Sequence, residues 1–455
     1  MADSPREPSP VVPQRATIIV SSTAQFHSRQ YRIARGLVER GHAVTVIGRW
    51  EPGIPRDEQH PVGYRIHRLE AGPLDGVPIL GTWRRRTRRR VVAAAALRPE
   101  PALAPRSPRP ARLSRTGWAV QLPGSVRAIR NAIAPFARSL TIRGLAAAAA
   151  QVAPRADLYH AMTSTRIPVG LALGRRDRAK VVYDAADIYL DSGELAALRG
   201  PGRWFLARAE RRAARTADRV VTVSDAYASV MEGRFSVEYP LVVMNCSYRF
   251  TPSEAPARRF HRLLRLSDDQ RVVLYQGMFF AHRGIEQLVE AIADVPRSVL
   301  VLMGAGPLDY ELRALAARAS TADRVRVVPP VPPEELLDWV ASADVVVVPI
   351  QPTTLNHRLS TPNKLFEAMA AGVPVVATDL PGMAPIVRDT GCGVLVDPAD
   401  LGALAVAIRG IIEAPEEVRD MFRRRALQAA TETYNWESQL TRLLDEYTRL
   451  TGRRW

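Results

Sequence analysis

Short apolar runs alternate with helical segments along the chain, and this alternation limits its possible folds more than any other feature. Near the N-terminus, the run Ala16–Val20 is typical of a buried strand, a helical segment with one apolar stripe follows, and Ala43–Gly48 is the next apolar run. A strand, a helix and a second strand in this order form a βαβ unit. The pattern therefore predicts the α/β class, with a parallel sheet that has helices on its faces.

This alternation continues in two series. In the first half, further strands are expected at 156–162, 179–187 and 217–224, whereas the second half has six expected strands that begin at Arg271. A short stretch with two prolines, near residue 250, separates the series. We predict two doubly wound, Rossmann-like domains. Because ligands of such sheets bind beyond the carboxyl ends of the strands, we expect the two domains to face a central cleft that holds the ligand.

The two series divide the chain into four expected parts. They are a disordered leader at 1–14, an N-terminal domain at 15–248, a C-terminal domain at 257–432 and a closing helix at 433–455.

One segment interrupts the N-terminal series, and it is strongly basic. The chain has 63 Lys and Arg residues against 46 Asp and Glu, a formal net charge of +17, and all the cations except Lys180 and Lys364 are arginines. Residues 81–150 hold 15 arginines, from Arg84 to Arg143, and one acid, Glu100. We interpret this segment either as a solvated, partly disordered insertion or as a docking surface for anionic lipid headgroups. Nucleic acid is not expected to bind there, because few aromatic residues and no recognition motif accompany the arginines.

The cysteine content and the hydropathy exclude several classes of protein. Cys246 and Cys392 are the only cysteines, too few for a disulfide framework or a four-cysteine metal site, and they favour a reducing compartment. No apolar stretch is long enough to span a bilayer, and the polar N-terminus lacks the apolar core of a signal peptide. We expect a cytoplasmic protein.

The segment Arg358–Thr378, "RLSTPNKLFEAMAAGVPVVAT", has the pattern of an anion site. Ser360 or Thr361 is expected to cap a helix that has Pro362 at its first position. Lys364 lies in the first turn, where its charge opposes the helix dipole, so it needs a reason other than helix stability. Glu367 follows on the same helical face and can accept hydrogen bonds from two hydroxyls, such as those of a ribose. A capped helix with an i,i+3 ion pair is the simpler alternative.

A second segment, Tyr275–Gly284, also favours phosphate binding. The expected strand ends at Gly277, whose missing side chain lets the backbone approach a ligand, and Arg283 precedes the next helix, where it can pair with a phosphate.

Together these segments resemble glycosyltransferase family 4. The resemblance lies in "STPNKLFEAMAAGVPVVATDLPG", "YQG…HRGIEQLVEAI", "VLMGAGP" and "ADVVVVPI", and more loosely in "SRQYRIARGLVERGHAVTVIG", "YDAADIY" and "ADRVVTVSDA". It implies the GT-B fold, with an acceptor-side N-terminal domain, a C-terminal domain that binds a nucleotide sugar, and a closing helix that crosses back to the first domain.

The resemblance also implies roles for particular residues. Glu367 would bind the nucleotide ribose, Arg283 would bind the donor pyrophosphate, and Gly277 would let the loop approach the phosphates. The start of the helix would surround the phosphate and the sugar through Ser360, Thr361, Asn363 and Lys364. No metal or other cofactor is expected, because cations and the helix dipole can stabilise a leaving diphosphate.

The acceptor side departs from the family pattern. The second histidine of the family's His-x-His is Met162 here, and Ala186 replaces a common His. On the donor side, Met278 replaces the Arg that commonly follows the glycine matching Gly277. His160 and His27 are the remaining candidates for a catalytic role.

The implied function is retaining transfer of a sugar from a nucleotide-diphosphate donor to a glycan or lipid-linked acceptor, in cell-surface polysaccharide or glycolipid synthesis. The main alternative is a weak or inactive protein that binds a nucleotide sugar, and a nucleotide-sugar epimerase on the same fold is a more distant one. The expected partners are the donor, the acceptor and an anionic membrane surface that Arg84–Arg143 contacts at the inner face of the plasma membrane.

Overall fold

The structure is a computed structural model that describes residues 12–25, 27–72, 124–251, 258–318 and 322–455. It divides into two compact units. The first consists of residues 13–183 and 197–218, and the second contains residues 184–196 and 219–455. The domain boundaries expected from the sequence therefore stay a prediction.

The first unit is built on a largely parallel sheet. Its strands are β1 (Arg15–Ile19), β2 (Ala43–Arg49), β3 (Asp57–Gln59), β4 (Arg65–Leu69), β5 (Leu158–Met162) and β6 (Lys180–Asp184). They lie in the order β3-β4-β2-β1-β5-β6, and the short strand β3 is antiparallel to β4. The helices are α1 (Ser28–Val38), α2 (Gly124–Val152), α3 (Ile167–Asp177) and α4 (Gly200–Thr216).

The second unit contains a parallel strand pair and a complete six-stranded sheet. The pair is β7 (Arg219–Thr222) and β8 (Leu241–Val242), with α5 (Asp225–Phe235) between them in the chain. The sheet strands are β9 (Arg271–Met278), β10 (Ser298–Ala305), β11 (Val325–Val328), β12 (Val345–Val348), β13 (Val375–Thr378) and β14 (Gly393–Val396). The helices are α6 (Arg259–Leu264), α7 (Ile285–Ala291), α8 (Asp309–Ala316), α9 (Leu336–Val340), α10 (Leu355–Leu359), α11 (Asn363–Ala370), α12 (Ala384–Thr390), α13 (Leu401–Ile412), α14 (Glu416–Glu432) and α15 (Trp436–Thr451).

The six-stranded sheet is doubly wound. Its order is β11-β10-β9-β12-β13-β14, and all neighbours are parallel. Valine-rich strands such as β12 are buried on both faces, as expected for a parallel sheet between helix layers. The chain leaves β9 in one direction and β12 in the other, so the carboxyl ends of these two adjacent strands form the topological switch point, where such sheets bind ligands.

The closing helix α15 lies along the segment that contains β7 and β8. The amide of Trp436 donates to the carbonyl of Ser247 at 2.7 Å, and the Gln439 side chain accepts from the amide of Met244 at 2.9 Å. Arg219 of β7 and Glu446 of α15 form an ion pair at 3.2 Å. The helix predicted near the C-terminus is present. It forms these hydrogen bonds and this ion pair with residues that we expected, from the sequence, to belong to the N-terminal domain.

One expectation about an irregular segment needs correction. The disordered leader is expected to include Gln14, but Gln14 is buried and its carbonyl accepts from the amide of Ala43 at 2.9 Å, so the ordered part of the chain begins at least that early. The basic insertion expected at 81–150 stays a prediction, and its last part, from Gly124, belongs to the 29-residue helix α2. This part is alanine-rich and free of proline except at Pro135, which explains why it can form a helix. Residues 1–11 and 73–123 lie outside the described part of the chain.

Candidate donor site at the switch point of the six-stranded sheet

The helices that follow β9 and β12 pack on opposite faces of the sheet. Val272 and Leu274 of β9 belong to one buried core, together with Phe366 of α11, whereas Val273 belongs to the other, together with Ile285 of α7. Because a strand's side chains alternate between faces, the two helices flank the sheet. The loops that lead to these helices both start at the switch point.

The loop after β9 depends on two glycines. Gly277 has a φ of +122°, and a side chain there would begin 3.7 Å from the Lys364 Nζ atom. Gly284, at the start of α7, has a φ of +73°, and a β-carbon would lie only 1.8 Å from the carbonyl oxygen of Pro349. No other residue type fits Gly284, so the backbone there is held close to the end of β12. This contact fixes Arg283, the residue before Gly284, at the switch point.

Helix α11 begins without the expected side-chain cap. Its N-cap is Pro362, and neither Ser360 nor Thr361 caps it, so that prediction was wrong. The Thr361 hydroxyl is buried and donates to the carbonyl of Gly382 at 3.1 Å, and the Ser360 hydroxyl donates to the carbonyl of His357 at 3.0 Å. Asn363, the first residue of the helix, accepts a hydrogen bond from Asn245 at 2.6 Å. The first-turn amides of α11 are therefore not capped by either hydroxyl.

Lys364 lies at the centre of the site. Its Nζ atom is 3.4 Å from the centroid of the Tyr275 ring, a cation–π contact. Burial and the nearby Arg283 charge lower the pKa of Lys364 well below its ordinary value, and the Glu367 carboxylate only partly opposes them. The ammonium form of Lys364 is therefore costly in the free protein, and a bound anion would stabilise that form.

Glu367 is one turn further along α11, half-buried between the helix and β9. Its Oε2 atom is 3.5 Å from the Nε2 atom of Gln276, which precedes Gly277 in the strand. A carboxylate in this position can accept two hydroxyl hydrogen bonds beside the cations. The structure thus brings Gly277, Lys364 and Glu367 together.

The Arg283 charge acts on several groups around the switch point. Burial lowers the pKa of His357 to about 4, and the nearby Arg283 and His282 add to this effect. The Arg283 charge also opposes the effect of burial on Asp187, whose pKa is nevertheless raised. The Arg283 charge therefore acts on Lys364, His357 and Asp187, which belong to separate segments that meet near this edge of the sheet.

A buried amide connects this site to a second segment of the same unit. Asn356 accepts hydrogen bonds from the amide of Ile188 at 2.7 Å and from the Tyr227 hydroxyl at 2.8 Å, and it donates to Asp187 at 3.0 Å. The sequence did not identify Asn356, Asp187 or Tyr227, because no spacing rule relates positions more than 100 residues apart. The one available signal was the position of Asn356 just before the "STPNKLFE" block.

Replacing Asn356 by alanine is expected to destabilise the second unit by about 2–4 kcal/mol, because the Ile188 amide and the Asp187 carboxylate lose a buried partner. Urea unfolding measures the change. Thr353→Ala is the control, since this exposed hydroxyl bonds only to the His357 ring among the contacts the structure shows, and should change stability by less than about 0.5 kcal/mol. Equal stabilities of the two variants would contradict the role given to Asn356.

Binding of a diphosphate is expected to take up protons. An anionic diphosphate raises the pKa of Lys364 from its depressed value, so between the free and bound pKa values each binding event adds part of a proton, and affinity falls as the pH rises through the bound pKa. Calorimetric titration with inorganic pyrophosphate, in buffers of different ionisation enthalpy, measures the uptake. Lys364→Met should remove it. If that variant keeps the full uptake, another group such as His357 is responsible.

The two predicted catalytic histidines lie in the first unit. His160 is on β5, paired in register with Ile18, and is fully buried. His27 is the N-cap of α1, and its Nδ1 atom accepts from the amide of Gln30 at 3.2 Å. Burial and capping are both structural uses of a histidine, and the catalytic role of each residue stays a prediction.

The described residues contain no group of three or more His, Cys, Asp or Glu side chains that could hold a metal ion. No helix in this part of the chain is sufficiently long and apolar to cross a membrane. Both cysteines are buried, and neither forms a disulfide bond.

The site lies in a region that matches a known family. Residues 270–414 match the family model described as "Glycosyl transferases group 1". This segment begins at β9, ends after α13 and contains Gly277, Arg283, Lys364 and Glu367. The similarity to the group 1 glycosyltransferases lies in this stretch of the chain.

A curated relative agrees with this similarity. The D-inositol 3-phosphate glycosyltransferase of Xylanimonas cellulosilytica is 34% identical over 209 residues, which cover 45% of this chain and 48% of the relative. The chain spans about half the length of the curated relatives it matches.

Solved glycosyltransferase structures extend the fold assignment beyond that stretch. Sucrose-phosphate synthase of Thermosynechococcus elongatus has a TM-score of 0.69 and 22% identity, covering 96% of this chain and 99% of that chain. HepE of Anabaena in complex with UDP has a TM-score of 0.65 and 16% identity, covering 96% of this chain and all of the other. The GT-B fold, with its two Rossmann-like domains, is thus confirmed. The narrower assignment to family 4 stays a prediction.

Proposed function

We propose that the protein transfers a sugar, with retention, from a nucleotide-diphosphate donor to a glycan or lipid-linked acceptor in the synthesis of a cell-surface polysaccharide or glycolipid. One observation carries the proposal. The glycosyltransferase domain places Arg283, Lys364 and Glu367 at the switch point of its sheet, where two cations suit a diphosphate and a carboxylate suits a ribose. HepE, which shares the fold, was crystallised with UDP and with UDP-glucose, so uridine nucleotides are the first donors to test.

In the reaction, the donor side would stabilise the leaving diphosphate. Negative charge grows on the bridging oxygen as the sugar departs, and the ammonium of Lys364 and the guanidinium of Arg283 would meet it. Because Lys364 lies in a desolvated place, its attraction for the diphosphate would be stronger than it is in water.

The first unit supports an acceptor that carries an anionic group. The Arg166 side chain donates to the carbonyl of Val20, just beyond β1, at 3.0 Å. Burial, together with the charges of Arg49 and Arg138, lowers the pKa of Arg166 to about 10. Arg49 ends β2, so these cations gather at the carboxyl edge of parallel strands, a usual place for a ligand. The curated relatives are named for a phosphorylated acceptor, D-inositol 3-phosphate.

Purified protein and a panel of uridine and other nucleotide sugars test the proposal. A donor is expected to raise the thermal midpoint and to be slowly hydrolysed or transferred. A ligand at about 100 times its dissociation constant adds about 2.7 kcal/mol to the free energy of unfolding. Stabilisation without any turnover would favour the alternative of an inactive protein that binds a nucleotide sugar. The burial of His160 supports this alternative, because a buried histidine does not contact an acceptor. Conversion of the donor to its epimer without an acceptor would favour an epimerase.

Transfer is expected to survive a chelator, because Arg283 and Lys364 supply the positive charge that a metal ion supplies in other enzymes. The measurement compares initial rates with and without excess EDTA. Complete loss of transfer, restored by Mg²⁺ or Mn²⁺, would contradict this part of the proposal.

An anionic membrane surface is the further proposed partner. The arginines from Arg84 to Arg115 lie outside the described residues, whereas Arg127, Arg130, Arg138 and Arg143 fall within α2. The proposed contact through Arg84–Arg143 therefore rests mainly on the charge of the sequence, and it would hold the protein near a lipid-linked acceptor at the inner face of the plasma membrane.

A further inference from the structure

The helix α4 (Gly200–Thr216) has an unusual outward face. Trp204 is 65% exposed and Phe205 is 42% exposed, side by side near the start of the helix. The inner face of the same helix packs into the first unit through Ala213 and Ala214, which are buried. Two large aromatic side chains in water, on a helix that already has an apolar inner face, need a reason other than folding.

Charge on this helix is almost all of one sign. It has five arginines and a single acid, Glu210. Glu210 is 6% exposed and accepts a hydrogen bond from the Tyr183 hydroxyl at 2.6 Å, so its carboxylate points into the unit. The exposed cations are Arg208, Arg211, Arg212 and Arg215. No acidic side chain on α4 offsets them at the surface.

The exposed residues form one stripe along the helix. Trp204, Arg208, Arg212 and Arg215 recur at steps of three or four, which places them on one side of an α-helix. The Arg208 guanidinium lies 5.8 Å from the centroid of the Trp204 ring. An apolar end followed by a cationic stripe is the pattern of a helix that lies in a membrane interface, with aromatic rings at headgroup depth and arginines toward anionic lipids.

We propose that α4 docks, parallel to the surface, on a bilayer that contains anionic lipids. Trp204 and Phe205 would enter the interface, and Arg208, Arg211, Arg212 and Arg215 would meet the headgroups. This proposal rests on the proposed function, in which the acceptor is lipid-linked, and it adds the surface of the protein that contacts the bilayer. Its test measures binding to vesicles and does not depend on sugar transfer.

Charge argues against the most obvious alternative occupant. Residues 73–123 of the same chain hold eleven arginines and two acids, so they would be repelled by the arginine stripe. A nucleic acid is attracted to cations and stacks on aromatic rings. The bilayer is favoured because the aromatic pair lies on the outer surface of a single helix, and a nucleic-acid competitor is one arm of the test.

The test is co-sedimentation with vesicles of phosphatidylcholine alone or mixed with phosphatidylglycerol. The parent protein should bind the mixed vesicles, and high salt should release it. Changing Arg208, Arg211, Arg212 and Arg215 to glutamine should reduce partitioning by about fivefold per arginine. Trp204→Ala/Phe205→Ala should reduce it at least about tenfold without changing the net charge.

A matched control removes the same charge elsewhere. Arg262, Arg424, Arg453 and Arg454 are exposed arginines of the second unit, and their change to glutamine should leave partitioning nearly unaltered. Far-UV circular dichroism and thermal unfolding show whether every variant is folded, and neither measurement depends on the proposed sugar transfer.

Three results would overturn the proposal. They are equal losses in the α4 and control variants, loss only when the six arginines from Arg84 to Arg90 are neutralised, and binding of a single-stranded oligonucleotide, but not of vesicles, that depends on Trp204.

Discussion

Glu367→Ala is expected to lower kcat/KM for sugar transfer by at least about 100-fold, because two hydrogen bonds to a charged acceptor are lost and each contributes about 1.5–3 kcal/mol. The fold should persist. Alanine is a strong helix former, and α11 is held by the buried side chains of Leu365, Phe366 and Met369, which the change does not touch. Initial rates measure the effect on transfer, and thermal unfolding measures the effect on stability.

The matched control for this variant is Glu290→Ala. Glu290 is an exposed glutamate of α7, in the same domain and outside the site, so its loss should leave transfer near the parent rate. Near-parental turnover of Glu367→Ala, with unchanged affinity for UDP, would show that the carboxylate does not bind the ribose.

Lys364→Met is expected to lower transfer by about 100- to 1,000-fold, the usual effect of removing one preorganised charge-stabilising group. The same change should not lower stability. Burial and Arg283 depress the pKa of Lys364, so below that pKa the folded state bears the cost of a charged, desolvated ammonium, and methionine removes this cost while keeping the side-chain volume. The lost contact with the Tyr275 ring works in the opposite direction and is of similar size. A urea midpoint that stays or rises, together with a collapse in activity, identifies a functional residue.

The chain contains the ideal control for this substitution. Lys180, the only other lysine, starts β6 and forms an exposed ion pair with Asp218 at 2.9 Å. Lys180→Met should cost at most about 1 kcal/mol of stability and leave transfer unchanged. If Lys364→Met unfolds the domain instead, the lysine has a structural role and the donor-site assignment loses one of its two cations.

The alternation of strands and helices, and therefore the α/β class, follows from local patterns of apolar residues. Each of the six strands expected from Arg271 onward is present, because a buried parallel strand needs a continuous apolar run that is visible locally. Local pattern also showed the start of α7 at Gly284, and it selected Lys364 and Glu367, which the structure places beside Gly277.

Only the tertiary structure decided the rest of the site. Thr361 does not cap α11, because its hydroxyl donates to the carbonyl of Gly382 instead. The sequence cannot show a hydrogen-bond acceptor that lies 21 positions away. Asn356 joins Asp187 and Tyr227 through contacts of the same long-range kind. The unusual state of Lys364 likewise needs the Tyr275 ring beneath it and Arg283 nearby. Spacing along a chain reports which face of an element a residue occupies, whereas pKa values and hydrogen-bond partners depend on distances that exist only after the sheet has brought separate loops together.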